Sequence, residues 1–118
     1  MKFLVVEDSS VDRHLMVSML EKLGHKVDIC QDTNTLSEQV EKENYAAVIL
    51  DIVMPQQDGF KCLRKLRLNP ATSEQYVIFC SSKKTPLEIS YGIKRAGAND
   101  YITKPVTQES LEKALQKV

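Results

Sequence analysis

Three short stretches of the chain are apolar without interruption: Phe3-Leu4-Val5-Val6, Ala46-Ala47-Val48-Ile49-Leu50 and Val77-Ile78-Phe79-Cys80. Runs of this length are short for helices, and no polar residue alternates within them. They have the pattern of strands covered on both faces, as in a parallel sheet with helices on either side. Tyr101-Ile102 is a weaker run of the same kind. Lys26-Val27-Asp28-Ile29 alternates instead, which suits an edge strand with one wet face.

Helical spacing fills the intervals. Val11, Leu15, Met19 and Leu23 recur every four residues and predict a first helix packed through that stripe, with Gly24 as its stop. Leu36 and Val40 mark a second helix. Phe60, Leu63, Leu66 and Leu68 mark a third, ended before Asn69-Pro70. Pro86, Ile89, Ile93 and Ala96 mark a fourth, with Thr85 as N-cap, Pro86 in the first turn and Gly97 as stop. Leu111, Ala114, Leu115 and Val118 mark the last, capped by Thr107. Strand and helix thus alternate five times, which predicts a doubly wound α/β fold. With right-handed crossovers, strand order 2-1-3-4-5 places the alternating second strand on an edge. The expected architecture is a flavodoxin-like (βα)5 three-layer sandwich in which residues 1–118 form one domain.

Composition narrows the function classes. Sixteen basic residues balance sixteen acidic ones, which argues against direct nucleic-acid binding through bulk charge. The N-terminal apolar run is too short for a signal peptide or a membrane span and is followed at once by acids. A cytoplasmic protein with no membrane attachment is expected. Cys30, Cys62 and Cys80 match no metal or redox spacing and read as buried free thiols. The basic residues Lys61, Arg64, Lys65 and Arg67 read as a solvated helix face.

The chemistry gathers at the carboxyl ends of the strands, where open α/β sheets bind ligands beside the switch in strand order. The first strand runs into Glu7-Asp8, the third into Asp51, the fourth into Ser81-Ser82 and the fifth into Thr103-Lys104-Pro105. Three carboxylates at one edge repel each other. A hard divalent cation relieves that repulsion, and Mg²⁺ suits a site of few carboxylates, water and a phosphate oxygen. Lys104 can offset the remaining charge and then bind a phosphoryl oxygen. Ser81 can donate a hydrogen bond to another, and a carboxylate can itself serve as nucleophile.

Leu4-Val5-Val6-Glu7-Asp8, Val48-Ile49-Leu50-Asp51-Ile52-Val53-Met54-Pro55 with Asp58-Gly59, and Gly97-Ala98-Asn99-Asp100-Tyr101-Ile102-Thr103-Lys104-Pro105 together resemble the receiver domains of two-component response regulators. The resemblance runs over nearly the whole chain. It implies a signalling switch, not a metabolic enzyme, whose only catalysis is its own phosphorylation and dephosphorylation. Asp51 would be the phosphoacceptor. Asp8 and Asp51 would bind Mg²⁺, joined by Glu7 through water and by the backbone carbonyl of Val53. Lys104 would contact the phosphoryl group, with the Lys104-Pro105 bond cis. Ser81 would be the switch hydroxyl and Tyr101 the aromatic that moves with it. The donor would be a sensor histidine kinase or a histidine phosphotransfer protein. The face formed by the fourth helix, fifth strand and fifth helix would bind a downstream target, an output domain or a second copy of the chain. Glu7 stands where Asp is commoner, Ser81 where Thr is commoner, Ser82 where a small apolar residue is usual, and Val106 where an aromatic is frequent.

Other functions fit the residues less well. A flavodoxin-like cofactor binder needs glycines and hydroxyls after the first strand to cradle a phosphate, and Glu7-Asp8 would repel one. An aspartyl phosphatase usually carries a second acid two residues after its nucleophile, where this chain has Val53. A receiver reduced to a docking module would not need the acids and Lys104. The start at Met1 favours a stand-alone receiver over one domain of a longer chain.

Overall fold

The computed structural model describes residues 1–54, 58–83 and 85–118, so Pro55 of the matched loop lies outside the described residues. Strands β1 (Lys2–Val6), β2 (Lys26–Ile29), β3 (Ala47–Asp51), β4 (Val77–Ser81) and β5 (Asp100–Thr103) alternate with helices α1 (Ser10–Lys22), α2 (Leu36–Lys42), α3 (Gly59–Leu68), α4 (Pro86–Ser90) and α5 (Gln108–Leu115). A 3₁₀ turn (Thr33–Thr35) precedes α2, and a π-helical turn (Tyr91–Arg95) extends α4. The sheet is parallel in the order β2-β1-β3-β4-β5, as the alternation predicts.

The continuous apolar runs are explained by burial on both faces. Every residue of β3 and β4 is buried, and successive side chains feed opposite cores. Phe3, Val5, Ala47, Ile49, Ile78, Cys80 and Ile102 pack with Met16 and Leu20 of α1 and with Leu111, Ala114 and Leu115 of α5. Leu4, Val6, Val48, Leu50, Val77 and Phe79 pack with Leu36 and Val40 of α2 and with Cys62, Leu63 and Leu66 of α3. All three cysteines are buried and free. No helix among the described residues is long and apolar enough to cross a membrane.

Four details differ from the pattern reading. In α1 the buried residues are Met16 and Leu20; of the expected stripe, Met19 and Leu23 pack half-buried against the same core, whereas Val11 is 67% and Leu15 52% exposed. Each step of four residues advances by about 40° around a helix, so a strict four-residue stripe winds off the sheet. Leu68, the last residue of α3, and Val118, beyond the end of α5, are exposed too. Arg67 is not part of a solvated face. Its guanidinium donates to the carbonyls of Gly97, Ser73 and Gln75 and to Asn99 Oδ1, at 2.8–3.2 Å, and so ties α3 to the loops entering β4 and β5.

The fourth difference is in α4. Thr85 and Glu88 form the capping box that starts it, and Gly97 (φ 91°) ends the segment. The helix widens into the π turn after Ser90, which brings Gly92 rather than Ile93 onto the core. A Cβ at Gly92 would lie 3.1 Å from the Tyr101 ring and 3.2 Å from Phe79. The absent side chain lets the helix backbone rest on both aromatics.

Candidate functional site

β1 leads into Glu7, which is buried, and Asp8, which is exposed. Glu7 Oε1 accepts the Ser9 N–H at 3.1 Å. Ser9 is also the N-cap of α1, its hydroxyl accepting the Asp12 N–H at 3.3 Å. Buried Asp51 ends β3, and its Oδ1 accepts the Val53 N–H at 3.3 Å. Just beyond, the Gly59 N–H donates to the Ile52 carbonyl at 2.7 Å. A Cβ at Gly59 would approach Ile52 Cα to 2.8 Å, so glycine allows α3 to begin this close behind Asp51.

Lys104 follows β5, with a cis bond to Pro105. Its Nζ lies 2.8 Å from Glu7 Oε2, 2.9 Å from Asp12 Oδ2 and 3.7 Å from Asp51 Oδ2. Carboxylate oxygens of Glu7, Asp8 and Asp51 come within 4.8 Å of one another. This all-oxygen, anionic donor set suits a hard divalent cation. Beside it opens a recess with apolar walls that include Leu15, Met16, Met19, Pro105 and Val106.

The electrostatics expose the strain of this arrangement. Burial, and then the charge of Glu7, push the Asp51 carboxyl up to about 7, while Lys104 and the Val53 N–H pull it back. Burial alone would lower the pKa of Lys104. Hydrogen bonds to Glu7 and Asp12, with the charge of Asp51, outweigh that effect and raise it. Lys104 is therefore a fixed cation. Cys80, behind the acids, is pushed up to about 12 chiefly by burial, so its thiol stays neutral and does not compete as a nucleophile.

Ser81 and Tyr101 meet on the other side of the sheet edge. Ser81 is buried, and its Oγ accepts the Lys83 N–H at 3.2 Å. The Tyr101 hydroxyl donates to the Lys83 carbonyl at 2.7 Å. One residue of the β4–α4 loop is thus gripped from both sides. The Tyr101 ring makes an edge contact with Phe79, at 6.2 Å between centroids, and Phe60 touches both Phe79 and Tyr91 in the same way.

Glu7, Asp8, Asp51 and Lys104 are therefore brought together as the strand ends predict, with Val53 beside them through its N–H. Pattern reading missed Asp12, an acid in the first turn of α1 whose only signal is its position one turn after Asp8. It also missed the backbone of Lys83, which no side-chain pattern reports.

The family model of the response regulator receiver domain matches residues 3–116. The chain is 36% identical over 117 residues to the protein PilH of Pseudomonas aeruginosa, covering 99% of this chain and 96% of that one. It is 34% identical over 113 residues to the sensory/regulatory protein RpfC of Xanthomonas campestris, where it spans only 15% of that longer protein. Among solved structures, the chemotaxis protein CheY4 of Vibrio cholerae superposes with a TM-score of 0.88 at 26% identity, over 99% of this chain and 97% of that one. The receiver domain of the sensor histidine kinase PA1611 of Pseudomonas aeruginosa, solved with a magnesium ion coordinated in its active-site cleft, gives 0.85 at 27% identity, over 98% and 94%. The chain belongs to the response regulator receiver domain family of two-component signalling.

Proposed function

We propose that residues 1–118 act as one cytoplasmic receiver domain that takes a phosphoryl group on Asp51. The observation that carries this reading is the placement of Asp51. Its carboxyl is buried at a strand end, crowded by Glu7 and 3.7 Å from the Lys104 ammonium. Transfer from a phosphohistidine forms a bond between an Asp51 carboxylate oxygen and phosphorus and breaks the P–N bond, whose electron pair stays on the imidazole. The donor is a sensor histidine kinase or a histidine phosphotransfer protein. Small phosphodonors serve as well, because the domain catalyses its own phosphorylation and dephosphorylation.

Asp8 and Asp51, with Glu7 through water and the Val53 carbonyl, are the residues to hold Mg²⁺. The ion found in the PA1611 receiver cleft and the clustered carboxylate oxygens here support that reading. When bound, the cation neutralises charge on the oxygens that surround phosphorus. Lys104 supplies the other positive charge. Val53 N–H holds Asp51 Oδ1 and so fixes the orientation of the carboxyl.

Phosphorylation adds about −1.5 to −2 charges. The Ser81 hydroxyl then turns from Lys83 towards a phosphoryl oxygen and frees the Lys83 N–H. Tyr101, bonded to the carbonyl of the same residue, follows with α4. The altered face comprises α4, β5 and α5, and it binds a downstream protein, an output domain or a second copy of the chain. Both conformations exist beforehand, and the phosphoryl group shifts their populations.

Incubation with Mg²⁺ and acetyl phosphate should add one phosphoryl group by intact mass, and Asp51→Asn should add none. Equal modification of the variant would overturn the assignment.

A further inference from the structure

Asp12 stands outside the cation-binding set yet shares the Lys104 ammonium with it. The carboxylate oxygens of Glu7, Asp8 and Asp51 cluster without it. Its Oδ2 instead lies 2.9 Å from Lys104 Nζ, bridging the first turn of α1 to the segment after β5. Two of the three ammonium hydrogens are thereby committed, one to Glu7 and one to Asp12, while Asp51 remains at 3.7 Å. Ser9 sets both anchors at once, because its N–H holds Glu7 and its hydroxyl caps the N–H of Asp12. A further negative charge beside a site meant for a phosphoryl anion opposes that anion, unless its work is done on the lysine.

We infer that Asp12 is a positioning residue that holds the Lys104 ammonium out of hydrogen-bond contact with Asp51, at 3.7 Å in the resting site, and releases it to the phosphoryl group. The inference rests on the phosphoacceptor reading above. Burial decides which anchor yields. The Glu7 side chain is 7% exposed and that of Asp12 41%. Water replaces the lysine more readily at Asp12 than at Glu7, so the bond to Asp12 breaks first. In the resting state the ammonium, held on the α1 side, competes less with a cation for Asp51. Asp12 therefore favours the cation and opposes the phosphoryl group.

Asp12→Asn should weaken binding of Mg²⁺ alone and strengthen binding of beryllofluoride at saturating Mg²⁺, each by about two- to fivefold, the range of a partly solvated ion pair. Asp12→Glu, which keeps the charge, should return both towards wild type. In a Lys104→Gln background the Asp12→Asn effect on Mg²⁺ should shrink by more than half, since the two residues act through one contact. An undiminished effect means that Asp12 acts by charge alone and overturns the inference. So does an Asp12→Asn variant that changes neither affinity or moves both in the same direction. In metal-free protein, ¹⁵N NMR of the lysine ammonium groups should show Lys104 protons exchanging about two- to fivefold faster in Asp12→Asn, and an unchanged rate overturns it too. Wild type that binds no beryllofluoride would instead sink the phosphoacceptor reading, while the ammonium exchange would still judge Asp12.

Discussion

The two sides of the sheet edge are built from different forces. On the α1 side, Glu7, Asp8, Asp12, Asp51 and Lys104 form a charged cluster in which acids outnumber cations. Its geometry is held by short ion pairs, and its energy is dominated by charge brought out of water. On the α4 side, Ser81, Gly92, Phe79 and Tyr101 form a cluster with the backbone of Lys83, held by two hydrogen bonds to that backbone and by aromatic contacts. The first side stores repulsion that a cation or a proton relieves. The second is a close-packed joint that responds to displacement. An incoming phosphoryl group is felt as charge on one side and as movement on the other. β3 and β4 join the two, with Asp51 in register with Cys80, the neighbour of Ser81.

Asp51→Asn tests the stored repulsion and carries the largest stability effect. In the fold the carboxyl keeps its proton up to about pH 7, against an ordinary value of 3.8. Between those values the folded form binds more protons than the unfolded form, so wild-type stability falls as pH rises through that window. The metal-free variant lacks this loss. It should be more stable than wild type at neutral pH by on the order of 3 kcal/mol, with the gap closing towards pH 4. Urea denaturation at several pH values measures it, and a gap independent of pH would show that the charged side stores no such strain.

Gly92→Ala tests the other side. Added helix propensity of about 1 kcal/mol is offset by an overlap with two aromatic rings that costs about 1–3 kcal/mol. A net loss of about 1 kcal/mol is expected, with Mg²⁺ affinity unchanged in titrations of the same variant. A changed Mg²⁺ affinity would mean that the two sides are not separable in the resting state. Tyr101→Phe is the mildest change, removing the hydroxyl that donates to the Lys83 carbonyl. Thermal unfolding should show a loss of about 0.5–1.5 kcal/mol, and amide shifts should be confined to the β4–α4 loop and its neighbours.

The same contrast explains what was legible in the amino-acid sequence. Burial on both faces forces continuous apolar runs, so β1, β3 and β4 could be read directly, whereas the strand order followed from right-handed crossovers and from placing the alternating β2 on an edge. Charged residues at strand ends have few reasons to be there, so Glu7, Asp8, Asp51 and Lys104 are legible as one group from the amino-acid sequence. Asp12 is not, because an acid in the first turn of a helix is explained equally well by the helix dipole. In α1 the four-residue spacing is a half-true signal: Met19 and Leu23 pack on the core, Val11 and Leu15 face solvent, and Met16 and Leu20 are the fully buried residues. The π turn left no pattern at all. It depends on a missing side chain at Gly92 that matters only because Tyr101 lies opposite, a tertiary fact invisible to local spacing.

The central claim, that charge received at Asp51 is converted into movement around Lys83 and Tyr101, is tested most directly by amide NMR in two steps. Mg²⁺ alone should shift resonances around Glu7, Asp8 and Asp51. Subsequent beryllofluoride should shift Ser81, Ser82 and Lys83 and continue through Gly92 and Tyr101 across residues 88–110. Shifts that stay around Asp51 and never reach residues 88–110 would contradict the account.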